Sequence, residues 1–307
     1  MNTHTNTYYS HGKLLLTGEY VILDGAKGLA LPTKLGQSLK VSYCNSFKGI
    51  HWKSFNYLGE LWYEGLFNFD EKNRVLKATN DNEITKRIQQ IFKVIFRLKP
   101  DFLKTKNGVL IETHLEFERL WGLGTSSTLI NNLASWAKVD AYKLLDQTFG
   151  GSGYDIACAQ HRNSLTYQIQ DQNRIVKKKD FNPPFQSNLY LVYLNQKQNS
   201  RQGIAHYKTQ QKDTDLINEV TKITNTILKT TCQIEFNRLL NQHEQCISKT
   251  INLPSIQEAY FSDFDGQIKS LGAWGGDFVL ASCFKNPTDY FKNKGFKTVL
   301  KYNELIS

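Results

Sequence analysis

Gly122-Leu123-Gly124-Thr125-Ser126-Ser127 joins two glycines to three hydroxyl side chains. It runs directly into a stretch where Leu129, Ile130, Leu133, Trp136, Ala137 and Tyr142 recur at helical spacing, a pattern that continues to Leu145. A helix therefore begins where the loop ends. Glycines let backbone N–H groups approach a phosphate, a helix start supplies unsatisfied donors and partial positive charge, and a hydroxyl can reach a magnesium ion. A plain loop-to-helix cap uses the same residue types, so this segment alone leaves both readings open. It lacks the Gly-Lys-Ser/Thr ending of a Walker A loop, and no other segment has Gly-x-x-x-x-Gly-Lys-Ser/Thr, which disfavours a P-loop nucleotidase.

Upstream of the loop, Val109, Ile111 and Thr113 alternate with Leu110, Glu112 and His114 as in a strand, and Glu116 to Gly124 forms the connection. Earlier still, Ile84, Ile88, Ile91, Phe92, Ile95 and Leu98 mark a helix that Pro100 closes. Two short apolar runs around Thr17-Gly18-Glu19-Tyr20, between Lys13 and Leu23, read as strand, bend, strand. Downstream, the Pro183-Pro184 break precedes Leu189 to Leu194, a buried strand opening a second half. Helical patterns follow from Leu216 to Leu228 and from Phe236 to Ile247, and Phe278 to Phe284 reads as a last strand. Strands and helices mix without strict alternation, which predicts an α+β class and argues against a doubly wound parallel sheet. The expected division is residues 1–186 and 187–307, with the boundary at Gln186.

Composition bounds the possibilities. A chain of 307 residues, 40% hydrophobic, can bury a sizeable core. No apolar run is long enough to cross a bilayer and the polar opening Met1 to Tyr9 is unlike a secretory signal, so a cytoplasmic protein is expected, without a membrane partner. Cys44, Cys158, Cys232, Cys246 and Cys283 are scattered, fitting buried small hydrophobes better than a disulfide framework or a zinc site. The net charge of +10 favours anionic company. Its one tight run, Lys177 to Lys179, reads as a solvated loop, and no aromatic-basic motif supports nucleic-acid binding.

Two more glycine segments carry chemistry. Gly150-Gly151-Ser152-Gly153-Tyr154-Asp155 is a dense turn ending in a carboxylate at an apolar helix start, where Asp155 is either a capping group or a reactive one. Gly272-Ala273-Trp274-Gly275-Gly276-Asp277 precedes a strand and by itself is a tight turn.

In order along the chain, these segments resemble the motifs of the GHMP kinase superfamily, named for galactokinase, homoserine kinase, mevalonate kinase and phosphomevalonate kinase. The first motif is similar to Gly12-Lys13-Leu14-Leu15-Leu16-Thr17-Gly18-Glu19-Tyr20 with Asp24-Gly25, the second to Gly122–Ser127 and the third to Gly272–Asp277. Gly18 to Leu23, Gly151 to Asp155 and Gly275 to Asp277 lean toward the phosphomevalonate and mevalonate kinase branch. The resemblance implies a two-domain fold, an N-terminal half like the second domain of ribosomal protein S5 and a ferredoxin-like C-terminal half. It also implies ATP and Mg2+ as cofactors and a small anionic metabolite as substrate, in a monomer or homodimer.

By the same resemblance, Lys13 and Asp155 flank the acceptor oxygen as the catalytic pair. Gly122, Leu123, Gly124, Thr125, Ser126 and Ser127 hold the ATP phosphates, and Ser126, with Asp146 as a second candidate, holds magnesium. Glu19, Tyr20, Ser152, Arg201, Gly275, Gly276 and Asp277 are expected at the substrate. Three departures stand out: His11 before the Gly-Lys pair, Glu116 to Trp121 before the phosphate loop, and Trp274 where relatives carry glycine. Rival readings are a diphosphomevalonate decarboxylase-like enzyme and a metabolite-sensing relative without catalysis.

Overall fold

The strand β1 (Thr5–Thr17) and the long strand β2 (Gly28–Cys44) run through both of the units into which the chain divides. One unit is Met1–Gly12, Leu35–Arg119 and Gly124–Gln160; the other is Lys13–Lys34, Leu120–Leu123 and His161–Ser307. The structure is a computed structural model that describes residues 5–70, 72–103, 107–198 and 200–306. Met1 to His4 of the polar opening, Asn199 in the loop before Arg201, and Ser307 lie outside the described residues.

In the first unit, β3 (Ile50–Phe55), β4 (Leu61–Asp70) and β5 (Val75–Ala78) precede the helix α1 (Glu83–Leu98) and the strand β6 (Gly108–Leu115). The strand order is β5-β4-β3-β6-β2. The β3–β6 pair is parallel, and the other three pairs are antiparallel. Period-two burial sets the register: Tyr63, Gly65 and Phe67 of β4 point inward while Glu64 and Leu66 face out. α1 starts where Asn82 accepts the backbone N–H groups of Ile84 and Thr85 at 3.0 and 2.9 Å. Its apolar stripe, Ile88, Phe92 and Ile95, packs with Trp52, Phe67 and Ile111 of the strands.

The helical pattern from Ser126 to Leu145 is two helices, α2 (Thr125–Ala137) and α3 (Ala141–Asp146). Lys138 takes a left-handed conformation (φ 54°), its N–H closes on the carbonyls of Ala134 and Ser135, and Asp140 caps the restart. Periodicity continued across this break because Ala141, Leu144 and Leu145 enter the same core. α4 (Tyr154–Gln160) completes the unit.

The second unit contains the hairpin β7 (Leu165–Gln170) and β8 (Asn173–Lys178), with β7 paired to the first residues of β2. Gln186, the expected boundary, begins a one-turn helix inside this unit. The chain continues through β9 (Leu189–Tyr193), α5 (Ser200–Tyr207), α6 (Thr214–Ile227), α7 (Gln233–Ile251), α8 (Ile256–Tyr260) and β10 (Gln267–Leu271). β11 (Phe278–Ser282), α9 (Thr288–Asn293), β12 (Val299–Lys301) and α10 (Tyr302–Leu305) follow. The all-antiparallel order is β10-β11-β9-β12. β11 is buried throughout, which explains its unbroken apolar sequence.

Three expectations are corrected. Val21 to Leu23 form a one-turn 3-10 helix (Val21–Asp24) in place of a strand, because Tyr20 (φ 59°) and Gly25 (φ 103°) turn the chain at both ends. All five cysteines are free, but only Cys158 and Cys283 are buried; Cys44 and Cys246 are partly buried and Cys232 is exposed. Lys177 and Lys178 end a strand, and their side chains are exposed with Lys179. Among the described residues, no helix is long and apolar enough to cross a membrane.

Replacing Asn82 with alanine leaves the N–H groups of Ile84 and Thr85, the second and third residues of α1, without that acceptor, and equilibrium denaturation should register a loss of about 1 kcal/mol.

Candidate functional site

Residues of all three motifs, Lys13, Gly122-Leu123 and Gly272 to Asp277, come together inside the second unit. Lys13 of β1 donates its backbone N–H to the carbonyl of Leu123 at 2.9 Å, joining the first motif to the second. A Cβ placed on Gly122 would lie 2.2 Å from Asp277 Cγ, so the carboxylate of the third motif rests directly against the glycine of the second. The ammonium of Lys13 lies 3.9 Å from the Cβ position of Gly272, which joins the first motif to the third.

Backbone geometry demands glycine at Gly122 (φ 67°), and Asp277 itself is left-handed (φ 54°). Asp277 is held there by its own N–H to the carbonyl of Gln196 (2.9 Å), by Leu194 N–H to its carbonyl (2.8 Å), and by Gln198 N–H to Oδ1 (3.3 Å). Burial pushes the Asp277 carboxyl above its usual range, and the Lys13 ammonium opposes that shift. The side-chain amides of Gln196 and Gln198 both donate to the carbonyl of Gly275. Gly276 must be small because a Cβ there would overlap Gln198.

In the first unit, α2 begins without a side-chain cap. Gly124 (φ 95°) is its N-cap, and the first helical bond runs from Thr128 N–H to Gly124 O at 3.0 Å. The N–H groups of Thr125, Ser126 and Ser127 therefore have no acceptor within the helix, and no acidic residue lies in its first turn. Its hydroxyls divide by task. Ser127 donates to Gly124 O (2.9 Å) and Thr128 to Gln37 Oε1 (2.7 Å). Thr125 and the exposed Ser126 make no side-chain hydrogen bond among the described residues. Free donors, partial positive charge and two unused hydroxyls suit an anion with a cation bound to it.

Asp155 lies in the first turn of α4, where Oδ1 accepts the N–H of Ile156 at 3.0 Å. Three left-handed glycines, Gly150, Gly151 and Gly153, shape the turn before it, and Ser152 is buried between them. Asp146 is exposed at the end of α3. Among the described residues no group of three or more histidine, cysteine, aspartate or glutamate side chains could hold a metal. Magnesium carried by a nucleotide draws ligands from phosphates and water, and the unused Ser126 hydroxyl at an uncapped helix start fits that need.

The remaining expected residues lie elsewhere in the second unit. Glu19 is buried, and its carboxylate pairs with Lys269 at 2.6 Å. Tyr20 accepts the Trp274 N–H on its hydroxyl (2.9 Å) and stacks on Tyr207. Arg201 is exposed on α5, and Gly203 of that helix abuts Tyr20 so closely that a Cβ would lie 2.6 Å from the phenol oxygen. The Trp274 ring, at the position where relatives carry glycine, enters the core with Val21, Tyr207 and Ile247 and donates its indole N–H to Pro254 O (3.0 Å). The segment before Gly122 makes aromatic contacts too: Arg119 stacks over Trp62 in the first unit, and Trp121 packs on Phe278 in the second. Sequence reasoning missed Lys269, Gln196 and Gln198. Lys269 left no signal in the sequence, since it stands among Gln267, Ile268, Ser270 and Leu271 with no apolar run around it.

No family model matches the sequence, and no curated protein sequence matches it. Solved structures do. The mevalonate kinase of Methanococcus jannaschii superposes with a TM-score of 0.69 at 16% identity, covering 96% of each chain. The phosphomevalonate kinase of Streptococcus pneumoniae, in complex with phosphomevalonate and AMPPNP, gives 0.67 at 15% identity over 94% of this chain and 95% of that one. The mevalonate diphosphate decarboxylase of Staphylococcus aureus gives 0.59 at 12% identity over 99% and 95%.

Gly122→Ala should weaken binding of a non-hydrolysable ATP analogue by about tenfold or more, since the Cβ meets both an unfavourable φ and the Asp277 carboxylate; calorimetric titration reads it. Trp274→Ala, in contrast, should cost about 3–5 kcal/mol in denaturant titrations, the scale of a lost core aromatic.

Proposed function

We propose that this chain, which has the GHMP kinase fold, is an ATP-dependent kinase that phosphorylates a small anionic metabolite, with mevalonate or phosphomevalonate as the acceptor. The observation that carries the reading is the meeting of Lys13, Gly122-Leu123 and Gly272 to Asp277 in one unit, continuous in chain with the uncapped start of α2. Phosphoryl transfer asks mainly for positioning and charge neutralisation, and those groups supply it.

In this reading the N–H groups of Gly122 to Ser127 hold the ATP phosphates. The Ser126 hydroxyl, with Asp146 as a second candidate, would hold magnesium, which would supply neutralisation of the phosphate charge. Lys13 places its ammonium against the transferring oxygens, and its charge also balances Asp277. Asp155 takes the proton if the acceptor is an alcohol and orients the nucleophile if the acceptor is already a phosphate. Arg201 binds the anionic end of the substrate as a two-pronged donor, with Tyr20 supporting its helix through Gly203. Ser152, Glu19, Gly275 and Gly276 shape the surrounding backbone.

The test incubates the protein with magnesium ATP and mevalonate, phosphomevalonate, diphosphomevalonate, homoserine or galactose, measuring ADP and carbon dioxide. ADP release with mevalonate or phosphomevalonate, and no carbon dioxide, is expected. Asp155→Asn should lower turnover by about 100-fold or more while leaving nucleotide affinity nearly unchanged. An equally active variant, or carbon dioxide release with diphosphomevalonate, contradicts the proposal.

A further inference from the structure

Four ionisable side chains meet in the interior of the second unit. Lys269, Glu19, Glu244 and His243 are each 0–1% exposed. Lys269 stands in β10 with Ile268 turned to the opposite core. Its ammonium lies 2.6 Å from Glu19 Oε1 and 3.0 Å from Glu244 Oε1, and it donates to Ser270 O at 2.6 Å. His243, next to Glu244 on α7, accepts the Gly18 N–H on Nε2 at 2.9 Å. That bond assigns the ring proton to Nδ1, so the 3.4 Å approach of Nε2 to Glu19 Oε2 is neither a hydrogen bond nor an ion pair.

The cluster links two of the glycine motifs. Gly18 and Glu19 follow β1, which carries Lys13, and Lys269 lies three residues before Gly272. Gly18 cannot shift easily, since a Cβ on it would sit 2.9 Å from Gly28 Cα. Burying an ammonium and two carboxylates contributes little net stability against a well-packed apolar alternative. What such a cluster supplies is a fixed register, because moving any member strands a buried charge.

We infer that Lys269 is a positioning residue for phosphoryl transfer: by clamping Glu19 it holds the Gly18–Tyr20 bend against β10, and so keeps Lys13 in register with Gly122-Leu123 and with the Gly272–Asp277 loop. The effect on turnover rests on the kinase reading; the effect on the backbone rests on this geometry alone.

The charge balance makes the clamp pH-dependent. The groups facing Lys269 are Glu19 and its neighbour Tyr20 from the first motif, and His243 and Glu244 from α7. Two carboxylates face one ammonium, leaving one excess negative charge when all are ionised. Burial, only partly offset by Lys269, raises Glu19 from 4.5 to about 7, and Glu244 also rises. Lys269 is held up by the carboxylates in spite of burial, which keeps it charged, and burial keeps His243 well below its usual range. The Glu19 contribution to stability is full below 4.5 and is lost as pH rises toward 7. That of His243 runs the other way, full above 6.5 and lost as pH falls.

The experiment compares wild type, Glu19→Gln, and a triple variant, K269M with E19Q and E244Q, that leaves no buried charge unpaired. Glu19→Gln keeps the Glu244 partner of Lys269 and should fold. At pH 8.5, where Glu19 is ionised, amide exchange at Gly18 to Tyr20 and Gly272 to Gly276 in both variants is expected to rise about tenfold or more over wild type while the β11 amides stay as slow. Turnover should fall about tenfold or more with ATP affinity nearly kept, and the loss of stability between pH 5 and 7.5 should flatten in Glu19→Gln. Unchanged exchange at both segments in Glu19→Gln overturns the clamp, as does a folded triple variant with full turnover. Should wild type transfer no phosphate to any acceptor, the kinase reading fails while the exchange measurement still decides the clamp.

Discussion

The carboxylate of Asp277 occupies the space where a side chain on residue 122 would begin. Much of the site follows from that contact. It requires glycine at 122, it places a buried acid beside the ammonium of Lys13, and it explains why Asp277 is kept left-handed by bonds to Leu194, Gln196 and Gln198. A buried acid against this turn is unfavourable unless a cation balances it. Lys13 stands in that place, with its backbone fixed on Leu123 and its ammonium beside Gly272.

Around this contact the unit is organised by exclusion. Trp274 turns its ring into the core, and its backbone N–H is taken by the Tyr20 hydroxyl. Tyr20 in turn seats α5 through Gly203 and stacks on Tyr207, whose hydroxyl donates to Asp24. The bulky residue in the third motif therefore extends the hydrophobic core beneath the loop. The Lys269 cluster is buried in the same unit.

The sequence made the amphipathic helices and the three motifs legible, because a helical stripe such as that of α1 and glycines at left-handed turns leave local signals, while the long strands β2 and β4 went unread. It did not reveal the short strand β3, whose burial depends on its pairing with β6 about 60 residues on, nor the four-residue edge strand β5, too short to show a period. The break at Lys138 was also hidden, since a lysine forced into a left-handed cap has no compositional mark. At the site, Lys13, Gly122 and Asp277 could be named in advance. The partner of Glu19 could not: the two residues are 250 positions apart, and only the pairing of β10 with β11 and the packing of α7 bring them together.

The central claim is that the turn from Gly122 into α2 holds the phosphates of a nucleotide. Amide exchange with and without a non-hydrolysable ATP analogue and magnesium tests it most directly. The account predicts that the amides of Gly122 to Ser127 become protected at saturating analogue and that Gly122→Ala abolishes the protection at the same concentration. Tight binding of the analogue with no protection of those amides would contradict it.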